Sequence, residues 1–200
     1  MAYIMKTGIV HHVAQLANIP VTDSEEKALE KAFDETLKVI DTLQELDVNI
    51  LEPDNILSNP EGLGNWYANL IRIDRRKCIL FTNEKTLYSF LIPKVLKSNL
   101  KNIEEEFLIN LNLNLQAEGS SLEVISRVMQ EYGEIGFAKT ANKSVLGSMN
   151  DLAYLYAVHI IEDGGFGNIK MLQLNQRMNR TPMGAMKYQF PIKVLKKLVQ

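Results

Sequence analysis

Two hundred residues, 46% apolar and 23% charged, fit one ordinary globular domain plus a small module and exclude a disordered or low-complexity chain. The single cysteine, Cys78, excludes an internal disulfide and suits a reducing compartment. The net charge of −2 hides a split: residues 1–60 carry 4 Lys/Arg against 11 Asp/Glu, and residues 61–200 carry 18 against 13.

Residues 9–18 carry Ile9, Val10, Val13, Leu16 and Ala17, the stripe of a short amphipathic helix that Pro20 ends. Thr22 opens a second helix with a capping box through Glu25. Leu29, Phe33, Leu37, Ile40, Leu43 and Leu46 then recur every three or four residues, so this helix is expected to run to about Leu46. Two such helices cannot close a core alone. Their apolar stripe must be covered by the rest of the chain or by another protein.

Residues 52–64 hold two prolines and two glycines and mark the domain boundary. The expected division is a helical hairpin over 1–52, a linker over 53–64 and a mixed domain over 65–200. Within that domain Trp66 to Ile73 and Lys77 to Thr82 read as strands joined through Asp74-Arg75-Arg76. Leu87 to Ile92, before Pro93, fits a strand or a short helix, and we take it as a strand. Residues 99–117 show a helical stripe, Gly119-Ser120-Ser121 breaks it, and Ser121 caps a further helix through Leu122, Ile125, Val128 and Met129. Glu134 to Lys139 reads as a strand, and Ser144 opens a long helix through Ile160. Asp163-Gly164-Gly165-Phe166-Gly167 is a loop, followed by helices around Asn168–Asn179 and Pro191–Val199. Strands first and helices after predict an α+β fold with a small, mainly antiparallel sheet.

No cofactor and no metal site are expected. His11 and His12 point about 100° apart on a helix, and His159 with Glu162 one turn on fits a satisfied histidine better than a ligand pair. Cys78 sits in the apolar run Cys78-Ile79-Leu80-Phe81, where a buried, inert thiol is expected. There is no Gly-x-Ser-x-Gly and no phosphate-binding glycine loop. The longest apolar stretch, Leu152 to Ile161, is about half of the roughly 20 residues a membrane span needs. No basic-then-apolar leader opens the sequence, so a cytoplasmic chain without membrane contact is expected.

The polar stretch Lys139 to Asp151 is delivered by a strand and left by a helix. Free N–H groups at a helix start attract anions, and Lys139, Asn142, Lys143, Ser144, Asn150 and Asp151 are candidate ligand-binding residues there. Arg72, Arg75, Arg76 and Lys77, with Arg177 and Arg180, can add positive charge, and Trp66 and Tyr67 can offer stacking surfaces for nucleic acid. The plainer alternative is that Asn142 and Ser144 cap the helix. An enzyme site built on Arg75, Lys139, Asn142, Ser144, Asn150 and Asp151 is a third reading, without a spacing that specifies a reaction.

Two resemblances add to this. His12-Val13-Ala14, Leu16-Ala17, Glu25-Glu26, Leu43-Gln44-Glu45-Leu46-Asp47 and Leu51-Glu52-Pro53 resemble, in order and spacing, the helical hairpin of the small C subunit of the tRNA-dependent amidotransferases. That resemblance implies a non-catalytic adaptor strapped around an amidase-type partner, through His12, Val13, Leu16, Leu29, Phe33, Leu37, Ile40 and Leu43. The family continues after its Glu-Pro as an extended tail; here a whole domain follows, as in a divergent fusion that kept the docking hairpin. The second part, through Trp66-Tyr67-Ala68-Asn69-Leu70, Leu80-Phe81-Thr82-Asn83-Glu84-Lys85-Thr86-Leu87 and Lys139 to Asp151, is similar to an uncharacterised prokaryotic domain family, which implies no activity.

Overall fold

The computed structural model describes residues 22, 50–51, 62–96, 100–133, 135–138, 140 and 142–199. The chain divides into two compact units, residues 1–47 and 48–200. Every element below belongs to the second unit; the helices expected over 9–46 lie outside the described residues apart from Thr22.

Three antiparallel strands form the central sheet in the order β2 (Trp66–Ile73), β3 (Arg76–Asn83) and β4 (Ser89–Ile92). Their aromatic and β-branched residues suit a pleated surface covered on both faces. Ile73 pairs with Arg76, so only Asp74 and Arg75 make the turn, with φ of 46° and 61°. Both residues in the left-handed region give the tight turn whose twist matches that of the flanking strands. The Leu87–Ile92 strand begins only at Ser89, because Leu87 (φ 51°) belongs to the preceding loop. Asn83 shapes that loop: its Oδ1 accepts from Lys85 N, Thr86 N and Thr86 Oγ1, and its Nδ2 donates to Leu63 O and Asn65 O. One buried amide thereby ties two chain segments together.

Among the described residues five α-helices follow: α1 (Ile103–Ala117), α2 (Leu122–Glu131), α3 (Lys143–Glu162), α4 (Met171–Met178) and α5 (Pro191–Val199). The architecture is α+β, as the order of elements predicts. A two-residue parallel pairing joins β1 (Ile50–Leu51) to β5 (Phe137–Ala138). Of the strand expected over 134–139, the described residues show Phe137–Ala138 paired with Ile50–Leu51. Among the described residues no helix is long and apolar enough to cross a membrane.

Strand alternation sends two chemically different sets of side chains to the two faces of the sheet. On one face Trp66, Phe81 and Phe90 meet Phe107 of α1, with ring centroids 5.1 to 5.9 Å apart. Tyr132 closes this cluster: its hydroxyl accepts from Trp66 Nε1 at 2.9 Å and donates to Gly64 O at 2.8 Å. The other face presents Ile71, Ile73, Cys78, Leu80 and Leu91 to Val145, Met149, Leu152, Tyr156 and Ile160 of α3. The α3 stripe is the i, i+4, i+7 spacing read from the sequence.

Residues 62–64, which composition places in the linker, pack into the domain. Leu63 is 1% exposed, and the Glu131 carboxylate accepts from the Leu63 and Gly64 backbone N–H groups at 3.1 and 3.0 Å. Gly62 lies so close to that carboxylate that a Cβ there would collide with it. The break at 119–121 is as expected. Gly119 (φ 75°) and Ser120 close α1 by donating to Gln116 O and Leu115 O, the double-bonded helix ending that favours glycine, and the Ser121 hydroxyl accepts from Val124 N.

Candidate functional site

The candidate anion-binding residues do not form one cluster. Lys139 and the partner-binding set His12, Val13, Leu16, Leu29, Phe33, Leu37, Ile40 and Leu43 lie outside the described residues. Asn142 is the N-cap of α3, and its side chain accepts from Ser144 N and Val145 N. Those two helix-start donors are therefore already satisfied, as the capping alternative expects. Lys143, Ser144, Asn150 and Asp151 are exposed on α3; Lys143 and Asn150, seven residues apart, share one side of the helix.

Arg75 sits at the other end of the sheet. The Tyr67 hydroxyl accepts from Asn142 N at 3.2 Å, which places the start of α3 beside the start of β2. Asp74 instead lies beside Gly165, after the end of α3. Seven strand steps separate Tyr67 from Asp74, roughly 23 Å at about 3.3 Å per residue. Arg75 therefore cannot share a ligand with Asn142 and Ser144, because β2 and α3 run side by side and carry them to opposite ends. The polar cluster read from the sequence falls apart into two.

The Arg75 end is the more basic of the two. Arg72, Arg75, Arg76 and Lys77 flank the turn, with Arg72 and Lys77 on the Trp66 face of the sheet and Arg76 on the opposite face, and Val95 N donates to Lys77 O at 2.9 Å, which brings exposed Lys94 (φ 59°) alongside. The Arg76 guanidinium lies over the Phe166 ring, 5.3 Å from its centroid. Trp66 and Tyr67 are at the opposite end of β2 and are half-buried, so they do not serve this surface; the aromatic partner is Phe166. Beyond the glycines, Arg177 pairs with Asp163 at 2.8 Å. The two line an open cleft of about 300 Å³ together with Asn168, Ile169, Lys170, Gln173 and Leu174.

Arg180, grouped with these cations on sequence, has another task. It holds the buried Glu118 carboxylate through two bonds of 3.0 and 2.7 Å. The Glu118 side chain is 0% exposed and that of Arg180 49%. Gln176 and Lys196 donate to Ala117 O and Glu118 O, so two side chains satisfy carbonyls at the end of α1.

A buried polar network was not foreseen. Asn175 Oδ1 accepts from Leu91 N at 3.1 Å and from the Tyr156 hydroxyl at 3.1 Å, and Asn175 Nδ2 donates to Asn114 Oδ1 at 3.0 Å. Asn179 Oδ1 accepts from Ser89 N at 2.8 Å, and its Nδ2 donates to Ser89 O at 2.7 Å. Four residues of helix rise about 6.0 Å and two residues of strand about 6.6 Å. Asparagines at i and i+4 of α4 therefore match Ser89 and Leu91 of β4. The available signal was two asparagines one turn apart among apolar helix positions.

Burial pushes the Tyr156 and Tyr88 hydroxyls well above the usual tyrosine range, and burial likewise pushes the Cys78 thiol up. A raised thiol is a poor nucleophile, as expected for an inert core cysteine. His159 Nδ1 lies 3.9 Å from Glu162 within the same helix. Among the described residues no three His, Cys, Asp or Glu side chains gather where a metal ion could sit.

With this geometry in place, comparison with known proteins gives a family and no activity. The chain belongs to the family described as a domain of unknown function (DUF6933), whose model matches residues 32–194. The match opens inside the segment expected as the second N-terminal helix. None of the curated proteins and none of the solved structures matches the chain. The amidotransferase C-subunit resemblance of residues 11–53 has no counterpart among these matches.

Proposed function

We propose that this chain is a non-catalytic accessory protein that docks on an amidase-type partner through its N-terminal segment. The observation that carries the reading is the order His12-Val13-Ala14, Glu25-Glu26, Leu43 to Asp47 and Leu51-Glu52-Pro53, which resembles the amidotransferase C subunit. The apolar repeat at three- and four-residue spacing from Leu29 to Leu46 supports it, because two short amphipathic helices need a surface to cover them. The 11 Asp/Glu of residues 1–60 suit a basic host surface. Co-purification of the tagged full chain from its native cell, followed by mass spectrometry, tests the reading. An amidase-type subunit in stoichiometric amount, lost in a Phe33→Asp/Leu37→Asp variant, is the expected result. Recovery of the chain alone, or of partners indifferent to that variant, sinks it.

A second reading, a phosphate- or nucleic-acid-binding module, is favoured by one observation: Arg72, Arg75, Arg76, Lys77 and Lys94 gather at one end of the sheet. Titration with labelled oligonucleotides at low salt tests it, since phosphate contacts are strongest there.

A further inference from the structure

We infer that the exposed turn end of the sheet, Arg75 and Lys94 flanked by Arg76 on one face and by Arg72 and Lys77 on the other, is the contact surface for the phosphodiester backbone of RNA or DNA; this rests on the phosphate-binding reading and names its site. Asp74 is the one carboxylate among residues 72–77, so the turn itself is strongly positive. Glu162 and Asp163 stand beyond Gly164 and Gly165, and Asp163 is engaged by Arg177. Two further features suit a phosphate. Arg76 is held over the Phe166 ring, which orders its planar fork of donors before any ligand arrives. Arg75 and Lys94 stand exposed on left-handed turn residues.

The aromatic side chains also indicate how the ligand is held. Trp66 belongs to the interior cluster, and Phe166 is covered by Arg76. No described aromatic ring at this end is therefore offered to a base. Recognition goes through the backbone charge and is independent of base sequence. A contact of about four phosphates predicts a log–log salt slope of about −3.6 on duplex DNA, hence a loss of affinity of about 150-fold between 50 and 200 mM salt.

The test uses the full chain and fluorescence anisotropy with labelled single-stranded and duplex RNA and DNA probes of mixed sequence, at the two salt concentrations. Arg75→Asn/Lys94→Asn removes two cations while keeping a residue that tolerates the left-handed backbone. We expect at least tenfold weaker binding at low salt and a slope shallower by about 2. Phe166→Leu, which leaves an apolar side chain but frees Arg76, should weaken binding about threefold. Lys143→Gln at the far end of α3 should change nothing. The RNA and DNA arms decide which backbone is the natural one. Binding that survives the double variant but falls with Lys143→Gln overturns the site while the phosphate-binding reading stands. Binding indifferent to salt overturns the backbone inference, and no binding of any probe at 50 mM removes both.

Discussion

The free side of β4 and the turn between β2 and β3 both expose strand backbone to neighbours, and the protein treats them in opposite ways. Along β4, Ser89 N, Ser89 O and Leu91 N are met by the amides of Asn175 and Asn179, and Tyr156 and Asn114 complete the chain of bonds. At the turn, Asp74, Arg75 and Lys94 face solvent. The first arrangement is costly to disturb, because a buried amide left without its partner loses its hydration and gains nothing back. The second is cheap to disturb, because water replaces whatever is removed. Polar residues of similar chemistry thus serve the fold in one region and stay available for a ligand in the other.

Asn175→Ala is the strongest way to break this contrast. It orphans Leu91 N and Asn114 Oδ1 together and leaves the Tyr156 hydroxyl only its longer bonds to Ser89. Loss of about 3–5 kcal/mol is expected from several unsatisfied buried groups, read as a lowered urea midpoint; a loss below about 1 kcal/mol would show that water fills the gap.

Next comes pH. Tyr88, Tyr132 and Tyr156 are all held above the ordinary value of 10.0, with burial as the leading cause. Above that pH the unfolded chain releases these protons while the folded chain keeps them. The unfolded state then binds fewer protons, so stability falls as pH rises. Their contribution should be intact below pH 10 and diminish above it, by up to about 1.4 kcal/mol per tyrosine for each pH unit. Urea midpoints measured from neutral pH to beyond pH 11 check this, and Tyr156→Phe should make the fall shallower.

Arg180→Ala leaves the Glu118 carboxylate buried and unpaired. The loss should be about 1–2 kcal/mol, less than for a fully buried pair, because half of Arg180 is already in water. Lys is expected to restore part of it, since Lys cannot reproduce the two-bonded fork. At the solvated end, Arg75→Asn should shift stability by less than about 0.5 kcal/mol in thermal or urea unfolding. A loss as large as that of Asn175→Ala would erase the distinction between the two regions.

Regular elements were readable in advance because their signal is local. Trp66–Ile73 and Pro191–Val199 have the bounds the sequence suggests, and Ser121 caps α2 as its position implies. Boundaries drifted where a side chain reached across the chain. Residues 62–64 look like linker because Gly62 and Gly64 resemble loop chemistry, yet Glu131, 67 and more residues away, fixes them. The site was harder still. Arg75 and Ser144 look alike as polar residues next to turns, and only the side-by-side course of β2 and α3 shows that they are far apart. Asn175 and the α4 C-cap Asn179 carry no sequence signal for burial beyond their i, i+4 spacing.

The fit between helix rise and strand rise has a consequence for assembly. Asn175 and Asn179 stand where the amides of a fourth strand would be, so α4 is a stopper on that border of the sheet. Another polypeptide cannot zip onto β4 without first prising off the helix and its amides. Growth of this sheet by an incoming strand at the β4 border, whether in a functional complex or in aggregation, is therefore opposed by a helix that the fold already holds in place.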